Sequence, residues 1–132
     1  MRMNLKNRYG EKTTLTVSIE GKCMEIKGML DTGNALLDPI TLFPVVVVEY
    51  DSIKEILPEE LTGFLKEGND LNCNINRRYL NRIRLIPYNS VGANDILKGF
   101  RPDYVRINGT EKEIRDVVVA VIYDKLSKNN EF

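Results

Sequence analysis

The sequence predicts a mainly β fold with one or two short helices, and three of its features support this. Residues 13–20 and 23–28 alternate apolar and polar side chains, which is typical of strands that bury one face. Residues 44–50 (PVVVVEY) are rich in β-branched side chains without alternation, as expected of a strand buried on both faces. Asn108-Gly109 is a strong hairpin-turn signal, and Glu113–Tyr123 beyond it is another apolar run of strand type.

The first predicted strands form a hairpin that leads to an acidic residue. Thr13–Glu20 and Cys23–Gly28 are expected to pair around a turn at Gly21-Lys22. The second strand continues directly to Asp31. Asn34–Pro39 is then predicted to be a loop, because an Asp-Pro pair favours a turn.

Two short helical segments are predicted after the valine-rich strand Pro44–Tyr50. Ser52 and Glu55 have the spacing of a capping box, with Ser as the N-cap and Glu as the third helical residue. Pro58 should end this turn and begin a second helix, Glu59–Lys66, because proline is tolerated at the start of a helix.

A long hairpin is predicted in the second half of the chain. Arg82–Tyr88 alternates like a strand, with its basic residues outward. Ile96–Ile107 returns as a second strand, which is expected to be broken at Gly99 and Pro102. The tip of this hairpin is placed at Gly92.

Composition narrows the possible functions. Residues 1–132 fit one domain with a polar lead-in over residues 1–12, and the 42% hydrophobic and 29% charged fractions are ordinary for a globular protein. Lys+Arg and Asp+Glu number 19 each, so no basic excess exists for direct nucleic-acid binding. The chain has no histidine, which removes Ser-His-Asp catalysis and the usual zinc sites, and no cofactor or metal is expected. Cys23 and Cys73 are interpreted as buried thiols, with a disulfide between them as the alternative.

Asp31 is the leading candidate for a catalytic group. The apolar Met29 and Leu30 run directly into Asp31, so its carboxylate is expected at the inner end of a buried strand. Acidic side chains avoid such positions unless a function requires them. A tight turn is the alternative, in which Asp31 only stabilises the loop and Gly33 has a positive φ. The protein would then be a non-catalytic, β-rich binding or regulatory module.

Five segments together resemble one known family. They are Leu30-Asp31-Thr32-Gly33-Asn34, Asp38-Pro39, Phe43-Pro44-Val45, Leu85-Ile86-Pro87-Tyr88-Asn89-Ser90-Val91-Gly92 and Gly99-Phe100-Arg101-Pro102-Asp103. In this combination the chain resembles the sporulation sigma-E factor processing peptidases, aspartic proteases of endospore-forming bacteria. The combination is much more specific than Asp-Thr-Gly alone.

This resemblance implies a retropepsin-like (acid protease) half-barrel that belongs to a membrane-anchored enzyme. The transmembrane half would lie outside the present sequence, and the enzyme would act at the cytoplasmic face of the cell membrane, in the mother cell at the sporulation septum. The implied substrate is the pro-sequence of the sigma-E precursor.

The chemistry of the implied site requires two carboxylates around one water, whereas the chain contains a single Asp-Thr-Gly. A twofold homodimer across the Asp31 loop would supply the second carboxylate. Thr32 is expected to donate its hydroxyl to the partner's backbone, and Gly33 to allow close approach of the two loops. Asn34 is expected to donate its amide to Asp31.

The hairpin tip Val91, Gly92 and Ala93 is the candidate flap over the substrate, because a lid must be hinged and exposed. An ordinary surface hairpin is an equal interpretation.

Two further polar features are interpreted as structural. Asp38 is expected to serve the turn before Pro39 rather than chemistry. Four arginines form a local basic cluster that is interpreted as a solvated face, with an acidic pro-sequence or partner as the alternative: Arg77, Arg78, Arg82 and Arg84.

Overall fold

The computed structural model describes residues 11–30, 36–66, 77–90 and 93–123, and the fold is mainly β. Within these residues, eight strands join into one curled sheet that forms a half-barrel, which confirms the predicted fold class. The strands are β1 Glu11–Ile19, β2 Lys22–Leu30, β3 Val45–Glu49, β4 Ile83–Ser90, β5 Ala93–Phe100, β6 Tyr104–Ile107, β7 Glu113–Ile114 and β8 Val118–Ile122.

The order of strands across the sheet is β4-β5-β8-β3-β2-β1-β6-β7. Neighbouring strands are antiparallel except β3 and β8, which run parallel with Val45 opposite Val118 and Glu49 opposite Ile122. Both strands lie inside the sheet, and the side chains of 45–48 and of all of β8 are buried. The prediction of a strand buried on both faces at 44–50 is therefore confirmed.

The two faces of the central strands carry two hydrophobic clusters. Successive residues of a strand point to opposite faces, so Val46 and Val48 join the larger cluster, whereas Val45 and Val47 join the smaller one. The larger cluster includes the apolar side chains of the helices. The smaller cluster consists of buried side chains from five of the strands, with β3 and β8 supplying most of them: Met29, Val45, Val47, Ile86, Leu97, Val118, Ala120 and Ile122.

The helices in the described residues are short. They are α1 (Tyr50–Ile53), a 3-10 turn (Lys54–Ile56), α2 (Glu59–Leu65) and α3 (Arg77–Leu80). Helix α2 agrees with the predicted helix at 59–66, with Pro58 at its N-cap and Leu61, Phe64 and Leu65 buried. None of the helices in the described ranges has the length and apolar character needed to cross a membrane.

The predicted capping box is wrong. Helix α1 begins at Tyr50 with Glu49 as its N-cap, so Ser52 lies inside the helix, and Glu55 lies in the 3-10 turn. No side chain caps either segment. The chain passes directly from β3 into α1 and buries Ile53 in the core, so tertiary packing determines where this helix starts.

Two predicted strand boundaries also change. Gly99 does not interrupt its strand: it lies inside β5 opposite Ala120, where an added Cβ would stand 2.6 Å from the carbonyl oxygen of Val119. The break comes later, at 101–103 around Pro102. The run 113–123 is two strands, because β7 pairs with β6 at the sheet edge while β8 enters the centre.

The predicted turns are present with small shifts. The first hairpin turns at Glu20-Gly21, one residue earlier than expected, and both residues have positive φ values of 52° and 81°. At Asn108-Gly109 the N–H of Thr110 donates to the carbonyl of Ile107 at 3.0 Å. The first strand pair beyond that turn is Arg106 with Glu113, so the connection is longer than a two-residue hairpin.

Candidate active site and its surroundings

The proposed site motif lies outside the described residues, but the chain on both sides of it is placed. The motif consists of Asp31, Thr32, Gly33 and Asn34. Before it, β2 ends at Leu30, which pairs with Val46. After it, Leu36 accepts a hydrogen bond at 3.0 Å from the N–H of Val45. The chain therefore leaves and rejoins the sheet beside consecutive residues of the central strand β3.

The surroundings of these two points are apolar. Met29 is fully buried in the smaller hydrophobic cluster, and Leu36 and Phe43 pack against that cluster. The apolar approach that the sequence indicated for residue 31 is thus present as far as Met29. This environment is one in which a carboxylate requires a specific partner.

Asp38 organises the loop 36–44 that follows the motif. Its Oδ2 accepts hydrogen bonds from Thr41 Oγ1 at 2.6 Å and from the Thr41 N–H at 3.1 Å. On the backbone, the N–H of Leu42 donates to the Asp38 carbonyl at 2.8 Å, and the Asp38 N–H donates to the carbonyl of Phe43 at 3.0 Å. Asp38 therefore stabilises the turn, as predicted.

The same loop exposes apolar side chains. Leu37, Ile40 and Leu42 are 38%, 80% and 66% exposed. Leu42 also has a φ of 65°, a left-handed conformation that is unfavourable for a large side chain. The loop thus presents these leucine and isoleucine side chains to solvent in a conformation that the Asp38 hydrogen bonds hold in place.

Asp38 also links this loop to the β4–β5 hairpin. Its side chain is 1% exposed, and Arg84 of β4 approaches Oδ2 with Nε at 3.3 Å while remaining only 16% exposed itself. The interpretation of Arg84 as part of a solvated face is therefore wrong. Arg84 and Ile86 share one face of β4, and the burial of Ile86 in the smaller cluster draws Arg84 inward.

The candidate flap lies at the end of that hairpin. Strands β4 and β5 pair along their whole length, from Ile83 opposite Phe100 to Ser90 opposite Ala93. This confirms the predicted hairpin. Val91 and Gly92 lie outside the described residues, and Ala93 begins β5.

A second polar constellation lies at the other end of β2. Cys23 pairs with Ser18, and Ser18 pairs with Tyr104, so the three side chains form a row across β2, β1 and β6. The Cys23 Sγ and Tyr104 hydroxyl are 3.5 Å apart and hydrogen-bonded. Cys23 is an exposed free thiol, so the prediction that it is buried is wrong, because its residue falls on the outer face beside the turn. Cys73 lies outside the described residues.

This contact changes the acidity of both groups. Hydrogen bonding from Tyr104, and then from Ser18, lowers the pKa of the Cys23 thiol. The same hydrogen bond to Cys23 raises the pKa of the Tyr104 phenol. Cys23 is therefore more readily ionised than an ordinary exposed cysteine.

The row opens on a pocket of about 760 Å³. Polar and charged side chains from four separate parts of the chain line much of it: Ser18, Cys23, Arg82, Arg101, Asp103 and Arg115. Sequence reasoning singled out only Arg82 as a possible contact for a partner. Cys23 and Tyr104 are 81 residues apart, so no local pattern indicates that they meet.

Comparisons with known proteins agree with the resemblance. The model of the peptidase U4 family, described as sporulation factor SpoIIGA, matches residues 3–132. The chain is 32% identical over 98% of its length to the sporulation sigma-E factor-processing peptidase of Priestia megaterium, and 29% identical over 95% to the protein of that name from Bacillus subtilis. It covers 44% and 43% of those relatives, so it spans less than half of their length.

A shorter relative is matched over most of its own length. It is the putative sporulation sigma factor-processing peptidase of Bacillus thuringiensis subsp. kurstaki, 26% identical, with 96% of this chain and 82% of the relative covered. No solved structure matches the chain.

Proposed function

Because the chain belongs to the peptidase U4 family, sporulation factor SpoIIGA, we propose that it is an aspartic endopeptidase domain that acts as a homodimer on the sigma-E precursor. The observation that carries this proposal is the family match over residues 3–132, together with the names of its relatives. The proposal includes a retropepsin-like mode of action and attachment of the enzyme to the cytoplasmic face of the membrane through a part of the protein outside this sequence.

The proposed mechanism uses Asp31 from each of two chains. Two carboxylates about 3 Å apart do not both ionise, so they share one proton. The ionised carboxylate takes a proton from the attacking water, and the protonated one donates to the oxygen of the scissile carbonyl. The pair titrates as a unit, and Thr32, Gly33 and Asn34 are proposed to hold it.

The surroundings of residue 31 support a catalytic role rather than a simple turn. Buried apolar side chains reach Met29 on one side, and Leu36 packs on the same cluster on the other. A carboxylate beside such a cluster is poorly hydrated, which raises the free energy of its charged form and favours sharing of a proton.

The loop 36–44 supports a homodimer. Its exposed Leu37, Ile40 and Leu42 follow the motif within a few residues, and burial of such side chains against a second copy would remove apolar surface from water.

The β4–β5 hairpin supports the assignment of Val91, Gly92 and Ala93 to a flap. Its base is anchored to the loop 36–44 through Arg84 and Asp38, whereas the predicted tip lies at its far end. A lid needs a fixed base of this kind.

The test is substitution of Asp31 in the full-length enzyme expressed together with the sigma-E precursor. Asp31→Asn and Asp31→Ala should both abolish cleavage, with losses of at least about a hundredfold, because general acid–base catalysis is removed. Asp51→Asn is the matched control, since Asp51 is an exposed carboxylate in α1 that pairs with Lys54. Undiminished cleavage by either Asp31 variant would refute the proposal and favour the non-catalytic binding module.

A mixing experiment tests the homodimer separately. When wild-type and Asp31→Asn chains are expressed equally, random pairing leaves about a quarter of the dimers with two Asp31 residues. Cleavage should fall to that fraction. A fall to one half would indicate that each chain acts alone.

A further inference from the structure

The pocket beside Cys23 concentrates positive charge. Arg82, Arg101 and Arg115 line it together with one carboxylate, Asp103, and Glu113 pairs with Arg115, so three positive charges stand against two negative charges. The complete chain has a formal net charge of zero. The excess is therefore a local property of this pocket, and it would favour an anionic ligand.

Two of the guanidinium groups are held in position by hydrogen bonds. Arg82 donates from Nη2 to Asp103 Oδ1 at 2.8 Å and from Nη1 to the Arg101 carbonyl at 3.3 Å. Arg115 donates from Nη1 to the Asp103 carbonyl at 3.3 Å and from Nη2 to Glu113 at 2.8 Å. Since these side chains are already ordered, binding a ligand costs less conformational entropy than it would with free arginines.

Two of the guanidinium groups of the pocket also lie over aromatic rings. The Arg115 guanidinium lies 5.8 Å from the centre of the Tyr104 ring, and that of Arg101 lies 5.0 Å from the centre of the Phe43 ring. Among the described residues, Arg101 has no carboxylate partner, and its Nε is buried without a hydrogen bond. Arg101 is thus the cation of the pocket whose charge is least compensated.

We propose that this pocket binds the carboxylate side chains of an acidic segment of a protein partner. Arginine presents paired N–H donors that match the two oxygens of a carboxylate. Asp103 and Glu113 stand among the arginines and would repel a continuous phosphate backbone, whereas separate carboxylates can avoid them. A volume of about 760 Å³ admits side chains and a short stretch of extended peptide.

The Cys23 end of the pocket lies away from Leu30, the last described residue before the proposed catalytic motif. Cys23 and Leu30 lie seven residues apart on β2, which corresponds to roughly 23 Å along a strand. The proposal rests on the arginines of the pocket and does not depend on whether Asp31 is catalytic.

The test uses the 132-residue chain and a short fluorescein-labelled peptide of alternating glycine and glutamate, with glutamine in place of glutamate in the comparison peptide. The glutamate peptide should bind, and its Kd should rise with salt. Arg115→Gln should weaken binding by about tenfold, because Arg115 is 65% exposed and loses a charge without disturbing the core. Arg78→Gln is the matched control, since Arg78 is 68% exposed and lies outside the pocket.

Protection of Cys23 from alkylation tests whether the peptide binds in this pocket. In a Cys73→Ser background, the glutamate peptide should slow alkylation of Cys23 by iodoacetamide, because the thiol lines the pocket. Equal binding of the two peptides, equal effects of Arg78→Gln and Arg115→Gln, or unprotected Cys23 would each overturn the proposal. Competition by inorganic phosphate or a short oligonucleotide at lower concentration than the peptide would overturn it as well and assign the pocket to phosphate groups.

Discussion

The ion pair between Asp38 and Arg84 should be one of the main contributions to the stability of the fold. Arg84→Met tests it, because methionine keeps much of the length of the side chain and removes the charge. In the native protein, Asp38 is 1% exposed and its Oδ1 has no hydrogen-bond partner among the described residues. Loss of the guanidinium would leave a buried carboxylate with only the two donors of Thr41.

The expected cost follows from that geometry. Removing one partner of a buried ion pair typically costs about 3–5 kcal/mol. Because Thr41 still donates to Oδ2, we expect the lower end for Arg84→Met, about 3 kcal/mol, or a fall in Tm of about 10 °C. Asp38→Asn should cost about 2 kcal/mol, since Arg84 is 16% exposed and can gain some hydration.

A double-mutant cycle separates the pair from its surroundings. The Asp38→Asn/Arg84→Met variant contains no unpaired buried charge, so it should be no less stable than Arg84→Met alone, giving a coupling energy of about 2 kcal/mol. Urea unfolding of the four proteins measures it. Arg78→Met is the control, because the Arg78–Glu20 pair is exposed and should be worth less than about 1 kcal/mol.

Two results would refute this reasoning. Either Arg84→Met is no more destabilising than Arg78→Met, or the effects of the two substitutions at 38 and 84 simply add. In both cases the loop 36–44 would be held by its own turn, and the Asp38–Arg84 ion pair would contribute nothing to the free energy of unfolding.

Two further predictions concern close packing and acidity. Gly99→Ala should lower the free energy of unfolding by about 1–3 kcal/mol, since its Cβ would stand 2.6 Å from a backbone oxygen. Gly63 lies in α2 with open space around it, so Gly63→Ala should raise the free energy of unfolding by up to about 1 kcal/mol. Equal effects of the two substitutions in urea unfolding would contradict this prediction. Tyr104→Phe removes the largest cause of the lowered pKa of Cys23, so that pKa should rise and less thiolate should be present at a given pH. In a Cys73→Ser background, the pH at which Cys23 alkylation is half-maximal should therefore move upward, with Tyr79→Phe as the control; an unchanged profile would show that Tyr104 does not activate the thiol.

Local patterns in the sequence were sufficient for the first three strands. Alternation at 13–20 and 23–28 and the valine run at 44–50 report how many faces of a strand are buried, and burial of apolar area is the largest favourable contribution to folding. The same reasoning found the acid beside Leu30 and the turn role of Asp38. The segments that resemble the peptidase family are likewise contiguous pieces of sequence, and the family model matches residues 3–132, which include all of them.

Errors in the prediction arose where distant contacts competed with local preference. Ser52 has the spacing of an N-cap, but the observed N-cap is Glu49, so the helix starts three residues earlier and buries Ile53. The run at 113–123 is apolar enough for one strand, yet its ends join opposite parts of the sheet. In both cases the packing free energy outweighs a capping or propensity difference of about 1 kcal/mol.

The sequence by itself determined the class of fold, the strand that is buried on both faces and the motif around Asp31, because each depends on side chains that are neighbours in the chain. Only the tertiary structure decided that Arg84 joins Asp38 in the interior and that Cys23 meets Tyr104 at the mouth of a cationic pocket. Those contacts depend on strand order and register, since a strand offers the same alternating pattern to any neighbour, and the partner is chosen by the free energy of the whole sheet.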